Sequence, residues 1–276
     1  MTKVLGRKGL FRLIQPPVRS TRTGSGILLL CVVLLSSVSL SERITAWAVL
    51  ASLFLVVTSV LTREIQALHL SCFSAFFVAL PYLLPSLRTW PYLLLVPLFC
   101  YAAVVLAVPA LRTSLGWLRP GRVTGAVVLF ALTVAVISGI ALYAWYRVLT
   151  PDLTIHLGHF PDMPVWLFPL SGLGFSLGNA ALEELAYRGV IMQALDSAAG
   201  PGLLSLVAQA WLFGALHYRQ GFPNGMAGLA MTVVYGIMLG ALRRRSRGML
   251  APYIAHVVAD VVIFVILAGI ILKKAG

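Results

Sequence analysis

Apolar runs of membrane length follow one another through most of this 276-residue chain. Crossing a bilayer's hydrocarbon core takes about 20 apolar residues of helix. No backbone polar group can stay unpaired there, so a spanning chain is either helical or a closed barrel. Barrel strands alternate apolar and polar residues in short segments, whereas the runs here are continuous. The chain is therefore expected to be all-α, a polytopic transmembrane helical bundle of about eight or nine spans. Composition agrees: mean hydropathy is +0.95 and 11% of residues are charged, against roughly 25% in soluble proteins.

The expected spans are 25–40, 44–61, 67–87, 91–111, 123–147, 165–195, 201–220, 223–242 and 249–272. The first is short and interrupted by serines, and leaving it out gives the eight-span count. The organisation read from these runs has four parts. Residues 1–23 are a basic tail, 24–150 the N-terminal helices, 151–164 a polar connector, and 165–272 a second helical bundle. No internal repeat is visible, so the inverted-repeat logic of many transporters has no support. Small residues four apart, Gly174/Gly178 and Gly236/Gly240, are expected to let helices pack closely.

The net charge is +13, and its placement decides what it means. Six basic residues fall within the first 22 positions and four more within Arg243–Arg247. Both clusters flank apolar segments, which is the pattern of a cytoplasmic membrane face. The expected partner is the lipid bilayer and not nucleic acid. The N-terminus is expected in the cytoplasm, with the first apolar run acting as a signal anchor. Cys31, Cys72 and Cys100 all lie in apolar runs and signal neither a disulfide framework nor a metal cluster.

The chemistry is concentrated where charge interrupts the apolar runs. The stretch from Asn179 to Met192, NAALEELAYRGVIM, carries Glu183, Glu184 and Arg188. A charge inside a membrane segment costs a few kcal/mol or more, and such residues face a bundle interior or a watered cavity. On an α-helix Glu184 and Arg188 share a face and pair with the acid first, the favourable order. Glu183 lies about 100° further round. Ala186 and Tyr187 occupy its i+3 and i+4 positions, so it has no basic partner within the helix.

Two later runs each carry one polar constellation. Phe213 and His217 are one turn apart in FGALH, and His256 and Asp260 are one turn apart in HVVAD. A free glutamate with two histidines makes a water-activating site. Glu183, His217 and His256 would equally be the ligands of a zinc site. The plain structural readings are interhelical hydrogen bonds for the histidines and a buried ion pair for Glu184 and Arg188. The remaining histidines carry less: His69 is expected near a membrane interface, and His156 and His159 in an exposed loop. HExxH and GxSxG are both absent, so the common zincin and one common serine-hydrolase pattern are not present.

In this order, EExxxR (Glu183, Glu184, Arg188), FxxxH (Phe213, His217) and HxxxD (His256, Asp260) resemble the CPBP family. That family comprises the type II CaaX prenyl endopeptidases and their bacterial, Abi-like relatives linked to bacteriocin processing and self-immunity. The resemblance covers residues 165–272; the first 150 residues carry no motif of the family. It implies an intramembrane endopeptidase of a bacterial plasma membrane, acting on a membrane-associated peptide or protein. Glu183 and His217 would activate water, and His256 and Asp260 would stabilise the oxyanion. Glu184, Arg188 and Phe213 would support them. It favours a mechanism without cofactor or metal, zinc at Glu183, His217 and His256 being the alternative. The other functional classes are a non-proteolytic partner or immunity protein and a proton-coupled transporter.

Two features depart from a simple match. The prenyl endopeptidases end the last motif in Asn, where this chain has Asp260. Aspartate donates to an oxyanion only when protonated, so Asp260 either does so as the acid or orients His256 as a carboxylate. The motifs also start at different depths, and they meet only if the span holding His217 extends to about Gly221 or the helices tilt.

Overall fold

The fold was read from a computed structural model, which describes residues 19–41, 43–158 and 162–275. Most of the basic tail, together with His159, lies outside the described residues. Helices occupy every expected run: α1 (Arg22–Leu40), α2 (Ala46–Leu61), α3 (Ile65–Leu83), α4 (Tyr92–Ala107), α6 (Gly125–Leu149), α8 (Phe168–Glu183), α10 (Leu203–Gln220), α11 (Gly225–Ser246) and α12 (Leu250–Ala275). Between them lie two short helices, α5 (Pro109–Thr113) and α7 (Thr154–Gly158). After α8 the chain continues through a π-helix, Glu184–Ile191, into α9 (Met192–Ala199).

Among the described residues six helical segments are long and apolar enough to cross a membrane: α1, α3, α6, Val165–Ala199, α11 and α12. The first helix, read from sequence as short, is one of these, because its cap lies further upstream. The Thr21 side chain accepts from the Gly24 N–H, and α1 gains a turn. α2 and α4 are apolar but shorter. The outer face of α6 shows how the bundle meets its solvent: Leu129, Leu132, Val136 and Ile140 recur at helical spacing, all exposed. Apolar side chains arranged this way fit hydrocarbon, and the chain is an integral membrane protein.

α1 to α4 pack with α9 and α10 around Leu28, Leu70, Phe73 and Tyr101. His69 belongs to this core. It is 2% exposed, and its two ring nitrogens lie 2.6 Å from the Tyr101 hydroxyl and 2.8 Å from Ser114 Oγ. Helix α3 begins two residues earlier than expected, at Ile65, and buries His69 on its inner face. Gln193 of α9 joins the same polar cluster through Gln66 Oε1 and the Ser114 carbonyl.

α6, α8, α11 and α12 form the other side, with α10 and α11 as a tight antiparallel hairpin. That hairpin confirms one glycine expectation. A Cβ at Gly236 would meet the Ala210 Cα at 3.0 Å, and one at Gly240 would meet Leu206 at 2.5 Å. Gly174 and Gly178 differ: a Cβ at either would meet nothing within 4 Å. They line an internal cavity rather than a helix contact. His156 also departs from expectation: it sits in α7 against the Phe222 ring, at 5.1 Å, on the wall of the same cavity.

Candidate active site

The cavity measures about 1430 Å³ and lies between α1, α4, α6, α8, α10, α11 and α12. Its walls are mainly apolar, and Glu183, His217, His256 and Asp260 all open onto it. Three sequence constellations from α8, α10 and α12 therefore meet at one place, although His256 and Glu183 are separated by more than 70 residues of chain.

Glu183 is the last residue of α8, and Glu184 opens the π-helix. The regular α-helix expected through this stretch is thus replaced by a wider i→i+5 turn, a distortion that recurs at functional sites. All of its residues except Leu185 are buried. Gly189 lets it lie directly against Trp117, whose ring would sit 2.9 Å from an added Cβ. Despite the distortion, the expected pair forms: Arg188 Nη1 is 3.0 Å from Glu184 Oε1. The guanidinium is completely buried and also sits over the Phe213 ring, 4.4 Å from its centroid. Carboxylate on one side and a π-face on the other offset the cost of burying this cation.

His256 binds both glutamates. Its Nδ1 is 2.9 Å from Glu184 Oε1, and its Nε2 is 3.2 Å from Glu183 Oε2. Glu183 thus has no partner on its own helix, as the spacing indicates, and acquires one from α12. Tertiary packing also qualifies the reading of Glu184 as a partner of Arg188 alone, since Glu184 also holds the Nδ1 side of His256. Asp260 Oδ1 stands 3.8 Å from His256 Nε2, near but outside hydrogen-bond range.

His217 lies in the last turn of α10, which ends at Gln220, and reaches the cavity from there. Its Nδ1 lies 3.0 Å from the Phe213 carbonyl, to which it can only donate. In the neutral ring that leaves Nε2 as the acceptor. Phe213 links the groups physically: its ring is 4.7 Å from His217, 5.9 Å from His256 and 4.7 Å from Tyr187. Among the described residues, no group of three His, Cys, Asp or Glu side chains is arranged to hold a metal ion.

Asn179 and Trp90 also belong to this site, and sequence reading assigned them no role. Asn179 donates through Nδ2 to Asp260 Oδ2 at 3.1 Å and accepts at Oδ1 from the Trp90 indole at 2.8 Å. Asn179 had a signal: it is an amide inside an apolar run, one turn before Glu183. Trp90 had none, being far away in sequence on the connector before α4.

Residues 164–262 match the family model described as type II CAAX prenyl endopeptidase Rce1-like. No curated protein and no solved structure shows significant similarity to the chain.

Proposed function

We propose that this membrane protein, whose residues 164–262 form an Rce1-like domain of the CAAX protease family, is an intramembrane endopeptidase that hydrolyses a peptide bond with a Glu183-activated water. The observation that carries the reading is Glu183 on the cavity wall beside His256, buried and without a cation on its own helix. A water held between Glu183 and His217 Nε2 would lose its proton to Glu183 as its oxygen attacks the scissile carbonyl carbon. The carbonyl π electrons move onto oxygen, where the His256 Nε2–H donates to the developing charge. Glu183 then returns the proton to the leaving nitrogen as the C–N bond breaks. Glu184 and Arg188 do not react; they hold His256 and the π-helix in place.

The proposed mechanism needs no metal. Glu183 serves as the base, His217 Nε2 helps hold the water, and His256 has its Nδ1 engaged by Glu184 at 2.9 Å, which leaves its Nε2–H to turn from Glu183 to the oxyanion. The cavity supports a peptide substrate. At about 1430 Å³ it exceeds the roughly 300–1,000 Å³ of small-molecule pockets, and its apolar walls suit a chain segment entering from the bilayer. The test is cleavage of membrane-associated peptides by the purified chain, read by mass spectrometry with and without a chelator. Activity that survives the chelator and disappears in Glu183→Gln supports the reading. Activity lost to the chelator and restored by zinc alone would overturn the metal-free mechanism. Complete absence of cleavage would favour a non-proteolytic partner role.

The cavity also makes a prediction at Gly178. Leucine there has open space ahead of it and removes a glycine cost of about 1 kcal/mol in the helix. Gly178→Leu is therefore expected to melt no lower than wild type while raising KM severalfold, because the side chain enters the substrate's volume. An unchanged KM would place the substrate elsewhere.

A further inference from the structure

We infer that Trp90, from the N-terminal half of the chain, completes the active site as a positioning residue that acts through Asn179 on Asp260. The inference rests on the endopeptidase reading of the same site.

The argument begins with an atom that has one possible role. An indole N–H donates and never accepts. The Trp90 Nε1–H lies 2.8 Å from Asn179 Oδ1, so it fixes which end of the amide is oxygen, a choice the amide's shape alone leaves open. The NH2 end must then face the other way, toward Asp260 Oδ2 at 3.1 Å. Asp260 is therefore held as an acceptor, with Oδ2 engaged and Oδ1 directed to the side of His256 Nε2 at 3.8 Å. In this arrangement Asp260 does not use Oδ2 to donate to an oxyanion. Its Oδ1 stands against the histidine that does, at 3.8 Å, and acts on it through space and not through a hydrogen bond.

The rest of the surroundings fit a locking role. Asn179 is 8% exposed and sits one helical turn before Glu183, so the same stretch of α8 carries both the base and the lock. Trp90 packs on Phe175, ring centroids 5.4 Å apart, which fixes the indole from its other side. The connector it belongs to, between Arg88 and α4, forms part of the cavity wall. The residues matching the endopeptidase family begin at 164. The chain of contacts Trp90–Asn179–Asp260 thus gives the motif-free N-terminal half a direct part in shaping the site.

The test is a set of mutant cycles on the purified full chain, using a peptide whose cleavage depends on Glu183. Trp90→Phe keeps the ring stacked on Phe175 and removes only the donor. It is expected to lower kcat about tenfold, the size of one positioning hydrogen bond, with KM within twofold and an unchanged melting temperature. Asn179→Ala should lower kcat at least as far. The decisive readout is non-additivity: in an Asn179→Ala or Asp260→Ala background, Trp90→Phe should have no further effect. Wild-type turnover in Trp90→Phe would overturn the inference while leaving the endopeptidase reading intact. So would effects of Trp90→Phe and Asn179→Ala that multiply, since a separate structural contribution behaves that way. Lack of any Glu183-dependent cleavage in the wild type would overturn the endopeptidase reading, and the inference with it. If Asn179→Ala does not fold, Asn179→Asp keeps the acceptor for Trp90 and sets a carboxylate against Asp260. It is expected to lower kcat and to make Trp90→Phe nearly silent.

Discussion

Glu183→Gln is expected to abolish peptide cleavage, by about 10²-fold to 10⁴-fold or more, the range typical of a lost general base, with the fold intact. Glutamine has the volume of glutamate and still offers a carbonyl oxygen to His256 Nε2, which now lies 3.2 Å from Glu183 Oε2. The contact that ties α8 to α12 at this point therefore survives, while the group that takes the proton from water is gone. Two measurements on the purified variant check this: turnover against a peptide cut by wild type, and thermal melting in detergent. Turnover at the wild-type rate would remove Glu183 from the base role. A large fall in melting temperature would mean that the carboxylate is structural, and loss of activity would then say nothing about chemistry.

The neighbouring residue should behave in the opposite way. Glu184→Ala is expected to destabilise the protein by about 3–5 kcal/mol, the usual cost of removing one partner from a buried ion pair. Two groups lose their partner together: Arg188, which is completely buried at 3.0 Å, and His256 Nδ1 at 2.9 Å. Phe213 alone, with its ring 4.4 Å below the guanidinium, offsets only part of that, because a cation–π contact contributes about 2 kcal/mol when desolvated. The variant should give little folded protein and a sharply lower melting temperature. Glu184→Gln should lose less, since an amide oxygen still accepts from His256 Nδ1 and still faces the guanidinium. An unchanged melting temperature in Glu184→Ala would show that the π-helix is held by its packing against Trp117 and Phe213 instead. The two glutamates are adjacent in sequence, so the contrast between their variants separates chemistry from support at a single place in the fold.

Much of this site is legible residue by residue. Glu184 and Arg188 pair because helical spacing puts an acid and a base on one face, and that proximity tolerates even the wider π-turn. Phe213 and His217, and His256 and Asp260, share faces for the same reason. The distortion itself is not legible, since nothing in the composition of 184–191 separates a π-turn from an α-turn. The stretch becomes a π-helix amid close packing against α10 and the Trp117 segment. The glycine pairs show the same limit. Gly236/Gly240 and Gly174/Gly178 have identical spacing, yet one pair meets a neighbouring helix and the other faces open space. Spacing establishes that two small residues share a face but not what stands opposite.

The amino-acid sequence by itself determined the class of structure and which polar side chains interrupt the apolar runs. Membrane-length apolar runs leave the backbone no alternative to helices, and a charge inside such a run is too costly to be incidental. Tertiary structure alone decided how those groups are divided between roles. His256 reaches across to both glutamates, Glu183 acquires its partner from another helix, and Trp90 fixes an amide 89 residues away. Helical periodicity carries information only over a turn or two of chain, and these contacts span far more than that. They are set by how the helices tilt and pack around one cavity, which depends on all of them at once.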